Sequence, residues 1–158
     1  MKRIAICWSK LASCGIAASL HLNARTDRDW ERWTDFIGER DEVTSLTVEF
    51  ATGLARKERG RWYVDKMLLL ASKVPRTLHL VLRGGARYLR ELARGFSNIS
   101  LLDSSAFMKT TRRRWLDWEP GRRWRWQPID MVEEEPLDNL LQHNVTRLAE
   151  MRSYQISS

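Results

Sequence analysis

The sequence predicts an α/β fold of parallel strands alternating with helices, and three observations carry that prediction. Short segments that alternate apolar and polar residues recur at residues 18–24, 43–52, 77–83 and 98–104. Between them lie segments whose apolar residues fall at helical spacing. The links are short, and strand–helix alternation with short links implies parallel strands joined by right-handed crossovers.

Composition frames the reading. With 158 residues, 43% hydrophobic and 30% charged, the chain has the makings of a core that folds without staples, not of a disordered polymer. The charge is less ordinary: 21 arginines against six lysines leave a formal net charge of +7. Arginine is the planar, permanently charged partner of phosphate and carboxylate, although an arginine-rich codon usage alone gives the same count. Cys7 and Cys14 are too few for a disulfide framework or a metal site, and are expected as core thiols in a reducing, cytoplasmic setting. The N-terminal apolar run is about five residues before Lys10 interrupts it, short of a signal segment's ~7–15. No run approaches the ~18 apolar residues of a membrane span, so no membrane partner is expected.

In chain order, residues 2–9 read as a short strand. In residues 18–24, Leu20 and Leu22 take one face and His21 and Asn23 the other. Thr26 precedes Asp29 by three residues, the pattern of a capping box, and Trp30, Trp33 and Ile37 form the stripe of a helix over 27–37. In residues 43–52, Leu46, Val48 and Phe50 alternate with Ser45, Thr47 and Glu49. A polar loop over 53–60 leads to a helix over 61–73 with Tyr63, Met67, Leu70 and Val74 on one face, stopped by Pro75. The strand 77–83 runs into Gly84-Gly85 and a helix over 86–94, striped by Tyr88, Leu89, Leu92 and Ala93, and the fourth strand follows at 98–104.

Two architectures fit: an open doubly wound sheet, or half of a (β/α) barrel. Polar residues on one face of every strand favour the barrel-like form, because a sheet covered on both sides shows nearly continuous apolar strands. Closing a barrel from so few strands would require a dimer or further chain.

From Lys109 the composition changes. Residues 109–128 hold seven basic residues, two acids and four of the eight tryptophans, with a type II turn pattern at Glu119-Pro120-Gly121-Arg122. An acidic connector over 129–135 and a helix over 136–152 complete the chain, with Leu137, Leu140, Leu141, Val145, Leu148 and Met151 as its stripe and His143 expected exposed. The expected organisation is therefore a core over 1–108, a basic Trp-rich hairpin or loop over 109–128, and a terminal packing helix within 129–158.

In parallel α/β folds ligands sit at the carboxyl ends of the strands. The segments leaving those ends carry Arg25, Arg28, Arg56, Lys57, Arg59, Arg61, Arg83, Arg87, Lys109 and Arg112 to Arg114. Glycines after a strand let the backbone approach an anion, and a following helix offers free N–H groups. Asn23, Arg83, Gly84, Gly85, Arg87 and Lys109 are thus the candidate ligand residues, for a phosphorylated or otherwise anionic small molecule. Glu49, His79, His21 and Asp103 are the candidate acid–base groups, with a satisfied polar network as the alternative. No metal-binding or cofactor motif is present, so neither is implied.

Arginine interleaved with tryptophan also suits single-stranded nucleic acid, through phosphate contacts and base stacking. Arg112, Arg113, Arg114, Arg123, Trp124, Arg125 and Trp126 are the candidates for that role. The opposite expectation is that the tryptophans pack and the arginines form a solvated rim. A third reading is a non-catalytic interaction module, or half of an obligate homodimer meeting its partner through the terminal helix.

Overall fold

In a computed structural model, residues 1–50, 57–129 and 136–157 are described. The chain forms two compact units, Met1–Leu102 and Asp103–Ser158.

The first unit opens with helix α1, Lys2–Ser13, where the sequence reading expected a strand. The reason lies in spacing: Ile4, Trp8 and Ala12 fall at i, i+4 and i+8 and pack on the core, a period the short apolar run concealed. Trp8 Nε1 donates to Ala18 O at 2.9 Å. Cys7 on this helix and Cys14 just past its end are both exposed, which corrects their expected burial.

Strands β1 (Leu20–His21), β2 (Ser45–Glu49), β3 (His79–Arg83) and β4 (Asn98–Leu102) form one parallel sheet in the order β1-β2-β3-β4. A doubly wound sheet reverses its strand order, and this one does not. Successive right-handed crossovers in one direction put helices α2 (Asp27–Gly38), α3 (Lys57–Lys73) and α4 (Leu89–Leu92) on one face, an arrangement consistent with half of a (β/α) barrel. Leu20, Leu46, Val48, Leu80 and Leu82 point into that covered face and are fully buried.

Helix α2 starts where its capping box predicts. Thr26 Oγ1 accepts from Asp29 N at 3.2 Å while Asp29 Oδ2 accepts from Thr26 N at 3.0 Å. Trp30, Trp33 and Ile37 are buried, as are Tyr63, Met67, Leu70 and Val74 of the segment from α3. That helix begins at Lys57, so residues 57–60 are helical and not loop; the rest of the expected loop lies outside the described residues. After β3 the helix expected over 86–94 is shorter, a 3-10 turn at Ala86–Tyr88 followed by α4. Tyr88, Leu89 and Leu92 are buried, while Ala93 is exposed.

Arg76 is the clamp of the amino edge of this unit. Its Nη2 donates to Ile37 O at 2.6 Å, Arg40 O at 2.7 Å and Val43 O at 3.3 Å, and its Nη1 to Asp41 Oδ1 at 3.3 Å. One guanidinium thereby satisfies the carbonyls left open where α2 ends and β2 begins.

The second unit comprises α5 (Ser105–Thr110), strands β5 (Arg114–Asp117) and β6 (Arg125–Pro128), and α6 (Asp138–Ser157). The strands pair antiparallel, with Leu116 opposite Trp126 and Asp117 opposite Arg125. Gly121 sits at φ +78°, as the third position of a type II turn requires, and Arg122 N donates to Glu119 O at 3.1 Å. Ala106, Leu116, Trp118, Leu148 and Met151 form its core.

On α6 the stripe turns inward at Asn144, not Val145: Asn144 is 0% exposed and Val145 48%. Asn144 Oδ1 accepts from Leu116 N, and its Nδ2 donates to Thr110 Oγ1 and Arg114 O, each at 2.8 Å. The side chain acts as a short partner strand for the outer edge of β5. His143, expected exposed, is half-buried, donating from Nε2 to Leu116 O at 3.2 Å with its ring 5.6 Å from that of Trp115. The acids at 133–135 lie outside the described residues.

Candidate functional site

Parallel register arranges the uncovered face of the sheet in rows. Ser45, His79 and Asn98 share the row at the amino end, and Glu49, Arg83 and Leu102 the row at the carboxyl end. His21 shares the middle row with Thr47, opposite Val81 and Ser100. Glu49 and His79 therefore stand four residues apart along neighbouring strands, about 13 Å at ordinary strand rise. The structure does not bring these acid–base candidates together. His79 Nε2 meets Ser100 Oγ at 2.9 Å instead, and Glu49 Oε1 pairs with Arg83 Nη1 at 3.3 Å. His21 is exposed and lines an open cleft with Ile4, Cys7, Trp8, Leu11 and Ser19.

Asp103 belongs to the second unit, where its Oδ1 accepts from Ser105 N at 2.9 Å and its Oδ2 from Arg152 Nη2 at 3.1 Å. Burial alone would raise its pKa, but the Ser105 hydrogen bonds and the Arg152 guanidinium together hold it below the usual aspartate value. It starts α5 and anchors α6.

At the carboxyl edge, Gly84 and Gly85 both take the left-handed conformation, at φ +71° and +73°. Gly84 N donates to Leu102 O at 3.3 Å, extending the ladder of the sheet. A Cβ on Gly85 would stand 2.7 Å from the Phe50 ring. The turn and its packing thus require both glycines. The helix after them is a single turn, too short to gather a macrodipole. Arg87 places its guanidinium 4.8 Å from the Tyr88 ring centroid. Asn23 is exposed, and its backbone oxygen accepts from Trp33 Nε1 at 3.4 Å.

An open cleft of about 360 Å³ lies on the same edge, lined by Arg25, Glu58, Arg59 and Trp62. Trp62 escaped the sequence reading, yet Arg59 and Trp62 are three apart and so share a helix face, a signal that was present. Nearby, Tyr63 Oη donates to Leu22 O at 3.1 Å and is approached by Ala24 N at 3.4 Å. Burial pushes its pKa up to about 12, so it is a neutral structural tie.

In the second unit the tryptophans divide. Trp118 is 8% exposed and packs edge-on against Tyr154, Trp126 packs on the core cluster, and Trp115 stacks near His143. Trp124 alone among the four is exposed, at 42%. It lines a cleft of about 520 Å³ with Asp117, Trp118, Glu119, Arg122, Arg123 and Arg125. Arg125 Nε binds Asp117 at 3.1 Å and Arg122 Nη1 binds Glu119 at 2.7 Å, both exposed pairs of small energy. Asp117 is held below the usual carboxylate range by Gln127 first and Arg125 second. Among the described residues no carboxylate pairs with Arg112, Arg114 or Arg123, all exposed. Arg113 adopts φ +49° and is half-buried, and Lys109 lies half-buried on α5.

Among the described residues no group of three metal-ligating side chains occurs, and no helix is long and apolar enough to cross a membrane. Comparison with protein-family models, curated proteins and solved structures found no match.

Proposed function

We propose that this protein binds nucleic acid through the unit Asp103–Ser158. One observation carries the reading: Arg112, Arg114 and Arg123 are exposed without a carboxylate partner among the described residues, in the unit whose hairpin also exposes Trp124. Arginines left to solvent cost little there and meet phosphates by counterion release, which gives affinity without sequence preference. The experiment is an oligonucleotide titration across salt concentrations with the wild type and with Arg112, Arg114 and Arg123 all changed to Gln. Affinity should fall steeply with salt, and the triple variant should flatten the log–log slope by about 2 for a single strand. Absence of binding at low salt would remove the proposal.

A second reading, an anionic small molecule at the carboxyl edge of the sheet, is favoured by the cleft of Arg25, Arg59 and Trp62. Two arginines and an indole line it together with Glu58, and the arginine–indole combination suits a phosphate attached to a planar ring. The same titration run with inorganic phosphate and a nucleoside monophosphate, with Arg59→Ala as control, separates it from the first.

A further inference from the structure

We infer that the cleft between Trp118 and Trp124 takes an unpaired base, making the preferred partner of this unit a single strand rather than a duplex. The inference rests on the nucleic-acid reading above and deepens it. Packing has already absorbed Trp115, Trp118 and Trp126, so the exposure of Trp124 is not a consequence of the segment's tryptophan content. Leaving an indole in water forgoes its burial energy, and here it lines a cleft with Trp118, three arginines and the carboxylates of Asp117 and Glu119.

The chemistry of the side chain decides between strand types. A two-stranded ribbon can enter a major groove, but indole has one N–H donor and no acceptor, so it reads base edges poorly. Its flat π-face instead stacks on any base that is not already stacked within a duplex. The cleft volume, about 520 Å³, falls within the ~300–1,000 Å³ span of small-ligand sites. Arg122 and Arg125 also line the cleft, but each is paired with a carboxylate, Glu119 and Asp117 respectively, and exposed pairs of this kind are weak enough to exchange for a phosphate. Arg123 precedes the indole, lines the same cleft, and has no carboxylate partner among the described residues.

The test measures the full chain and its Trp124→Ala and Trp124→Phe variants against a labelled oligothymidine and a hairpin duplex of matched charge. The wild type should prefer the single strand. Trp124→Ala should weaken single-strand binding by about 5- to 150-fold, the range one stacked base provides, and leave duplex binding unchanged. Trp124→Phe should recover part of the loss. Because Trp124 is exposed, the thermal midpoints of both variants should match the wild type. Equal loss on both substrates, or no loss on either, overturns the single-strand inference while nucleic-acid binding itself stands. No binding of either substrate by the wild type at low salt overturns both.

Discussion

The two basic regions of the molecule differ in which of their arginines the fold engages. On the strand-and-helix unit Arg76 clamps three carbonyls, Arg83 pairs with Glu49 and Arg61 reaches Glu91 at 3.5 Å, while Arg25 and Arg59 face an open cleft. On the hairpin unit Arg112, Arg114 and Arg123 face solvent, and only Arg152 among the arginines described above is tied down deeply, to Asp103. The difference teaches that a surplus of positive charge identifies no site by itself. What matters is which guanidinium groups the fold has already spent on its own carbonyls and carboxylates.

Gly85→Ala should give the largest effect. Left-handed backbone costs an L residue ~1–2 kcal/mol, and crowding Phe50 at 2.7 Å adds a packing penalty, for a total of about 3 kcal/mol. Denaturant unfolding checks the loss, and oligonucleotide affinity should stay unchanged. If Gly85→Ala instead removed anion binding while sparing stability, the comparison between the regions would break.

Arg76→Ala comes next, at about 2–3 kcal/mol, because it strips Ile37, Arg40 and Val43 of a charged donor. The Arg112, Arg114 and Arg123 variant should shift stability by no more than about 0.5 kcal/mol in the same assay. A comparable loss in both would show that the hairpin arginines are structural after all.

The smallest effect is the acid response of the second unit. Asp103 has a depressed folded pKa, so its contribution is present above the unfolded carboxylate value of about 3.9 and is lost as pH falls through the folded value. Unfolding followed from pH 5 to pH 2 should show stability declining, and Asp103→Asn should flatten that decline. An unchanged slope in Asp103→Asn would place the acid sensitivity elsewhere.

Elements whose physics is local were legible beforehand. The Thr26–Asp29 capping box, the Leu46–Val48 alternation and the Glu119–Arg122 turn each involve residues two to three apart, and each forms where expected. Helix α1 is not distinguishable from a strand in the sequence, because five apolar residues satisfy both equally until the covering partner is known. The candidate site divides in the same way. Arg123 and Trp124 stood out as an Arg/Trp run, but nothing in that run distinguishes Trp124 from the three tryptophans that pack.

Sequence alone determined the α/β class, the periodicity of the faces and the charge, because each depends on spacing along the chain. Tertiary structure decided the one-way strand order, the separation of Glu49 from His79, and the roles of Arg76 and Asn144. Asn144 meets its partners 28 to 34 residues away and Arg76 up to 39 away. Such contacts depend on how separate elements stack, and no local pattern of residue types encodes that stacking. The same packing buried Trp118, half-buried Trp115 and Trp126, and left Trp124 in the open.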